Sequence, residues 1–445
     1  MSKHIVIIGN GIAGITTARW VRKLSDHKIT VISSETDHFF SRTALMYIYM
    51  GHMEYRHTKP YEDYFWEKNR IDLKRAHVDT IDFEARSLHF DSGESMNYDD
   101  LVLALGSTPN KFGWPGQDLK GVSGLYHFQD LEYMEEYTRD IDRAVVVGGG
   151  LIGIEMAEML HSRDIPVTFL VREKSFWNGV LQAEESDLIN RHIRKNHIDL
   201  RLGTELDKIL ADEQGRAKAV VTKDGETIDC QFVGLTAGVS PNIAFLKDTA
   251  LETDRGILVD EYLRSNIPHV YAIGDCAQVR EPQPGRRPIE AVWYVGRMMG
   301  ETLAHTLTGT ETAYRPGHWF NSAKFIDIEY QTYGLVPGHM EEQQAAFYWE
   351  HEDELKAVKF VFDKESLAFE GVNTFGIRMR HEVFQRWLEE KRGMPYILNH
   401  LAEANFDPEF FKTFEKEIGS KWNAEHPDHK VSPTSNRSFL SRLFA

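Results

Sequence analysis

Cysteine is scarce in this chain. Two in 445 residues, Cys230 and Cys276, stand far apart and in no C-x-x-C setting. That argues against a disulfide framework, a cysteine-built zinc site and a cysteine-ligated iron–sulfur cluster, and no residue is assigned to a metal. Long apolar runs are lacking as well: none reaches the roughly 18 residues of a membrane-crossing helix. The N-terminus runs almost straight into the first apolar segment, which leaves no room for a signal peptide, so a cytoplasmic protein is expected. Positive charge is outnumbered, 51 Lys and Arg against 68 Asp and Glu, for a formal charge of -17. A surface that acidic repels phosphate, and nucleic acid is not an expected partner. What remains is the ordinary make-up of a globular protein, 42% hydrophobic and 27% charged. The length admits about two to four domains.

Glycine, by contrast, is concentrated where it matters. Ile5 to Ile8 form a short apolar run of the kind a strand buried on both faces requires. Gly9, Gly11 and Gly14 follow as G-x-G-x-x-G, with Ile12 and Ala13 between them. In such a motif the first glycine allows a tight turn, the second lets a pyrophosphate approach the backbone, and the third lets the next helix pack close. The helix expected over 12–24 aims its N-terminal N–H groups at the phosphates. Glu35, just past a strand expected over 28–32, stands where an acid meets a ribose hydroxyl. These features together read as a dinucleotide cradle.

Arg42 lies inside an aromatic and Met-rich stretch, 39–50, which by itself reads as core. A buried guanidinium needs an anionic or carbonyl partner. A flavin pyrophosphate or ring carbonyl would serve, and so would a local aspartate such as Asp37. A helix is expected over 61–69 and short strands near 71–73, 78–83 and 88–90. A buried strand over 101–105 ends at Gly106, where the backbone, from Ala104 on, can approach a ligand closely. Residues 111–124 carry glycines and a proline and read as a hinge or crossover.

A second strand–glycine–helix unit begins at RAVVVGGGLIGIEMAE, with Gly148, Gly150 and Gly153 at the motif positions and Leu151 and Ile152 opening the helix. Two such units in one chain imply two dinucleotides held face to face, as flavin–nicotinamide chemistry needs. At the end of the strand expected over 166–171, Val171 occupies the place of an NAD-selecting acid and Arg172 follows. An arginine there can hold a 2′-phosphate and tilts the reading toward NADPH, while Glu173 beside it opposes the tilt. LTAGVSPN, with Gly238, echoes LALGSTPN of the first half. A strand over 270–273 delivers Gly274 and Asp275, an aspartate able to accept hydrogen bonds from a ribityl or sugar hydroxyl. Cys276 reads as packing, since nothing near it in sequence lowers its pKa.

A helix is expected over 293–307. Beyond Pro316 the pattern turns antiparallel, with strands at 323–328, 330–335, 345–350, 355–363 and 366–372 and helices at 380–391, 394–400 and 408–417. A strand is also expected over 227–233. The expected architecture is therefore α/β: two Rossmann-like dinucleotide-binding domains plus a C-terminal α+β domain with an antiparallel sheet. The FAD domain spans 1–110 and 251–312, the NAD(P) domain 111–250, the C-terminal domain 313–425, and a mobile tail 426–445.

Together GNGIAG, ITVISSE, FFSRTAL, LVLALGSTP, VVVGGGLIGIEMAE, HVYAIGDCA and the run Arg287, Glu290, Gly296, Arg297, Gly300, Glu301 resemble the two-dinucleotide flavoprotein reductases of the pyridine nucleotide-disulfide oxidoreductase superfamily. The nearest branch is the one holding ferredoxin and rubredoxin reductases and apoptosis-inducing factor, and the resemblance covers residues 3 to 335. It implies FAD on Gly9, Gly11 and Gly14, with Glu35 at the adenine-side ribose, Arg42 in the flavin region and Asp275 at the ribityl chain. NAD(P)H would lie on Gly148, Gly150 and Gly153. Glu155 matches a glutamate that family members hold near the nicotinamide; the alternative is a helix N-terminal acid favoured by the dipole. Trp293 or Tyr294 either covers the flavin edge or is core.

This sequence departs from the family in having no cysteine over 39–51, which argues against disulfide, persulfide and peroxide chemistry. The branch's R-P-x-L-S is Arg42-Thr43-Ala44-Leu45-Met46, with no lysine after it. The leading expectation is an FAD-dependent NAD(P)H oxidoreductase passing electrons to a small carrier protein of the iron–sulfur or rubredoxin type, or to a small-molecule acceptor. Arg378, Arg380, Arg386, Lys391 and Arg392 are either a docking patch for an acidic carrier or a solvated helix face. Two alternatives stand beside it: a quinone reductase touching a membrane only through the C-terminal RSFLSRLFA, and a non-enzymatic redox-sensing protein. A homodimer is allowed.

Overall fold

The computed structural model describes residues 2–408 and 410–433. It falls into two compact units, one of Met1–Gly148, Met156–Thr168 and Leu206–Pro316, the other of Gly149–Glu155, Phe169–Glu205 and Gly317–Ala445.

The first unit is built on a five-stranded parallel sheet in the order Val270–Ala272, Asp100–Leu103, His4–Ile8, Lys28–Ser33, Ile71–Arg75. Its central strands are buried on both faces, which is why they read as unbroken Val/Ile/Leu runs and not as alternating ones. The helix Ile12–Leu24 crosses over from the first strand to the second. Trp293–Leu307 packs on it so closely that a Cβ on Gly300 would lie 2.5 Å from the Ala13 carbonyl oxygen. A second parallel set lies in the same unit: Ala144–Val147 pairs with Phe232–Leu235, and that strand pairs with Val122–Ser123. The two segments that echo each other in sequence pair antiparallel, Ser107–Pro109 against Val239–Pro241.

In the second unit a five-stranded antiparallel sheet runs in the order Phe320–Phe325, Ile328–Gly334, Phe369–Phe375, Ala357–Asp363, Gln344–Glu350. Alternation along these strands divides its faces. Tyr333, Phe347, Phe360 and Val372 join the core with the helices His381–Glu389, Met394–His400 and Glu415–Glu425. Lys359 and Asn373 instead meet the helix Ala183–Lys195, pairing with Glu184 and Glu185 at 2.8 Å each. Among the described residues no helix is long and apolar enough to cross a membrane.

Three expected elements are placed differently. The expected helix over 408–417 begins only at Glu415 and runs to Glu425, with Glu415 and Glu417 in its first turn. The strand expected over 227–233 is two strands, Thr227–Asp229 in a three-stranded antiparallel sheet and Phe232–Leu235 in the parallel set, because the chain changes sheet at Cys230 and Gln231. The strand expected over 323–328 straddles a reversal: Ile326 takes φ 60, a left-handed conformation a β-branched residue rarely adopts, so composition gives no warning of it. Packing also continues past 426. Pro427–His429 form a 3-10 turn, Val431 is buried, and the Asn423 amide brackets the Val431 backbone at 2.7 and 2.9 Å. The amphipathic C-terminal stretch singled out for membrane contact, RSFLSRLFA, lies outside the described residues.

Candidate dinucleotide cradles

Gly9 ends the first strand at φ 116, and a Cβ there would lie 2.0 Å from the Ala104 carbonyl oxygen. Only glycine lets the two strand ends approach this closely. A Cβ on Gly14 would lie 2.0 Å from the Gly9 carbonyl oxygen, so the third glycine seats the helix on the turn. Gly11 differs: a Cβ on it would meet nothing within 4 Å. Packing does not explain a glycine there, whereas a ligand occupying that space does. The helix it opens has no side-chain cap and no acid in its first turn. Its first N–H groups therefore have no side-chain acceptor, as an anion site requires. These residues fit the pyrophosphate of FAD.

Past the second strand, Glu35 and Arg42 form a two-pronged ion pair, at 2.8 and 2.6 Å. The local carboxylate that satisfies Arg42 is thus Glu35; Asp37 faces Arg75 at 3.6 Å. Arg42 also donates to the Tyr126 carbonyl and lies over that ring at 4.6 Å. Glu35 accepts the Phe128 N–H at 2.9 Å. Burial would raise its pKa, but hydrogen bonding by His127 and Arg42 and the Arg42 charge hold the carboxyl down at about 2.

Asp275 sits in the 3-10 turn Gly274–Cys276 at the end of the strand Val270–Ala272. Two hydroxyls donate to one of its oxygens, Tyr126 at 3.1 Å and Ser107 at 3.2 Å. Tyr126 in turn accepts the Ser107 N–H at 2.9 Å. Desolvation raises the Asp275 pKa, and the two donors and Arg42 offset it only in part. Gly106 leaves room for this: a Cβ on it would lie 2.8 Å from the Tyr126 hydroxyl. Tyr126 and Ser107 were not singled out from the sequence. The available signal was the His127-x-x-Asp130 capping box, which places Tyr126 at the entry of the helix Phe128–Tyr137, its N–H held by Asp130 at 2.8 Å.

Trp293 opens the helix Trp293–Leu307 and is 36% exposed. It is therefore not core; Tyr294 meets its ring edge-on at 5.4 Å and the Arg297 guanidinium stands 5.9 Å from it. Cys276 is fully buried, donates to the Leu103 carbonyl and has its pKa pushed up to about 12 by that burial. It is packing, not a nucleophile.

The second motif repeats the first. In the first unit Gly148 takes φ 124, and a Cβ there would lie 2.6 Å from the Thr236 carbonyl. The Thr236 hydroxyl ties down the same turn through the Val147 carbonyl at 3.0 Å. Gly238, at φ 87, lies beside the Asn110 amide. In the second unit Gly150 is again open, with nothing within 4 Å of a Cβ, while Gly149 abuts Val171. Leu151, Ile152, Gly153 and Glu155 there are the opening residues of a helix. Arg172 is exposed and paired with Glu173 at 2.8 Å. An open middle glycine before an apolar helix start fits a second pyrophosphate.

The basic residues near 378–392 are largely neutralised. Arg378, Arg386 and Arg392 pair with Glu329, Glu403 and Glu390, and Arg380 donates to the Phe406 carbonyl. Such exposed pairs are what a solvated helix face shows.

Residues 3–300 match the family model described as pyridine nucleotide-disulphide oxidoreductase. An NADH oxidase of Methanocaldococcus jannaschii is 31% identical over 349 residues, 74% of this chain and 76% of that protein. Rhodocoxin reductase of Rhodococcus erythropolis is 31% identical over 341 residues, 75% of this chain and 78% of that one. Of two further relatives the alignment spans only 35% and 36% of the length. Among solved structures, a ferredoxin reductase from Rhodopseudomonas palustris superposes with a TM-score of 0.78 at 24% identity, covering 84% of this chain and 91% of that one.

Proposed function

Since the chain belongs to the pyridine nucleotide-disulphide oxidoreductase family, we propose that it is an FAD-dependent NAD(P)H oxidoreductase that hands electrons to a small carrier protein of the iron–sulfur or rubredoxin type. The observation that carries this reading is the repeated open glycine, Gly11 and Gly150, each at a cradle where packing asks for none. When bound, the flavin supplies the two-electron chemistry with the nicotinamide and the release of electrons to an acceptor.

The chain's own residues bind and orient. The uncapped N–H groups after Gly11 take one pyrophosphate. The Glu35–Arg42 pair presents a carboxylate fixed in its charged form toward the ribose side. Asp275, held by Tyr126 and Ser107 through one oxygen, keeps acceptor capacity for a ribityl hydroxyl. Trp293 covers the flavin edge, and Glu155 stands near the nicotinamide. Arg172 takes a 2′-phosphate, which makes NADPH the preferred donor. In this reading FAD lies on 1–110 and 251–312, NAD(P) on 111–250, and an interface domain covers 313–425. A cytoplasmic location and a homodimer belong to the same proposal.

The absence of cysteine over 39–51, and the burial of both cysteines elsewhere, support an external acceptor over an internal disulfide relay. Rhodocoxin reductase and the ferredoxin reductase structure are relatives named for such carriers. Anaerobic stopped-flow mixing with NADPH and NADH tests the core claim. Rapid loss of flavin absorbance is expected, and none with either nucleotide ends it. Reduction of a rubredoxin or a [2Fe–2S] ferredoxin faster than of dioxygen tests the acceptor.

A further inference from the structure

The first unit contains a cavity of about 370 Å³ that none of the residues discussed above uses as a ligand site. That volume is in the range that holds a small organic molecule. It is walled by Val279, Pro288, Met299 and Pro316. A buried ion pair forms part of the lining, Arg286 to Glu290 at 2.8 and 2.5 Å, with both side chains almost fully enclosed.

One group here lacks its complement. Tyr314 lines the cavity, is 7% exposed, and its hydroxyl proton finds no acceptor among the described residues. The cation beside it, Arg286, can only donate, so no acceptor for the Tyr314 O–H proton is supplied from that side. Buried polar groups in native proteins are almost always paired, and an orphan at a cavity wall points to a partner that enters. At the mouth, Arg280 and Arg315 are held by Glu252 and Glu261. Arg287 lines the cavity with no carboxylate partner among the described residues. A phenolic donor beside apolar walls, with the exposed Arg287 guanidinium on the same lining, asks for an acceptor anion with an apolar body.

We propose that this cavity binds a small monocarboxylate, its oxygens taken by Tyr314 and Arg287 and its apolar portion set against Val279, Pro288 and Met299. Asp260, Glu261 and Glu281 also line the site. They repel a doubly charged phosphate more than a single carboxylate, which decides between the two anions.

Isothermal titration of the flavin-loaded protein with benzoate, and separately with inorganic phosphate, tests this. Benzoate is expected to give a saturable heat that phosphate does not. Tyr314→Phe removes only the orphan hydroxyl, so it should unfold at the same temperature as wild type or higher, yet bind benzoate about tenfold more weakly. Arg287→Ala is expected to weaken it at least as much. No saturable benzoate heat, or equal affinity in all three proteins, overturns the proposal. Phosphate binding as tightly as benzoate overturns the monocarboxylate assignment.

Discussion

Tyr126 donates its hydroxyl proton to Asp275 at 3.1 Å across 149 positions of sequence. It links the residue chosen from the sequence as the ribityl acceptor to one beside a helix capping box, outside both glycine motifs. Because the same hydroxyl accepts the Ser107 N–H, Tyr126 fixes both the strand end beside Gly106 and the rotamer of Asp275. It is a positioning residue.

Tyr126→Phe should therefore cost more in cofactor affinity than in fold. The bond to the Asp275 carboxyl and the one from the Ser107 N–H are both lost; the first, at about 1.5 kcal/mol, corresponds to about tenfold in FAD affinity. The measurement is flavin release at equilibrium, followed by its fluorescence. Asp275→Asn retains an acceptor oxygen and should lose less than Asp275→Ala.

The Glu35–Arg42 pair predicts a pH dependence of stability. The Glu35 carboxyl lies at about 2 against an ordinary 4.5. The unfolded chain takes up this proton first, so the stabilisation is full above about pH 4.5 and is lost as pH falls toward 2. The difference corresponds to about 3 kcal/mol. Urea midpoints measured from pH 7 downward should fall below about pH 4.5 in wild type. Glu35→Gln should start lower, because Arg42 loses its carboxylate, and should fall less steeply.

The glycines of the first cradle separate ligand from scaffold. Gly9→Ala drives a methyl group into the Ala104 carbonyl at 2.0 Å in a left-handed conformation, and should destabilise the fold by several kcal/mol, about 3 or more. Gly11→Ala places the same methyl in open space. Its apoprotein should melt within a degree or two of wild type, while FAD uptake falls at least about tenfold. Equal losses of stability would mean that Gly11 serves packing after all.

Both thiols should be inert. Cys230 and Cys276 are buried, and burial pushes each pKa up to about 12. A native sample treated with iodoacetamide at pH 8 should remain unlabelled by mass, and reduction by NAD(P)H should proceed at the untreated rate. Labelling that abolishes turnover would reopen a cysteine mechanism.

Much of this site was legible because its parts are local. A strand, three glycines and a helix lie within a few turns of chain; Gly9 and Gly14 answer to neighbours on the adjacent strand and in the same turn, and Gly11 to open space. What escaped was non-local or conformational. Tyr126 and Ser107 act through Asp275 in a distant segment. For Arg42 the sequence offers a flavin group or a local acid such as Asp37; the acid that pairs with it is Glu35, two residues farther away in sequence, while Asp37 lies 3.6 Å from Arg75. Ile326 reverses the chain in a conformation that side-chain type disfavours, and the sheet change at Cys230 follows no apolar pattern.

The proposed preference for NADPH turns on Arg172, whose guanidinium is engaged by Glu173. An exposed pair of this kind is weak, in the range of about 0–1 kcal/mol, so a 2′-phosphate can displace it. A phosphate also gains more from a planar guanidinium than a carboxylate already satisfied by water does. Arg172→Ala should raise KM for NADPH about tenfold and leave KM for NADH unchanged. Glu173→Gln should lower KM for NADPH, since it frees the guanidinium and removes a like charge. Initial rates with ferricyanide as acceptor read both. If Arg172→Ala shifts the two nucleotides equally, Arg172 only shapes the surface and the preference for NADPH falls.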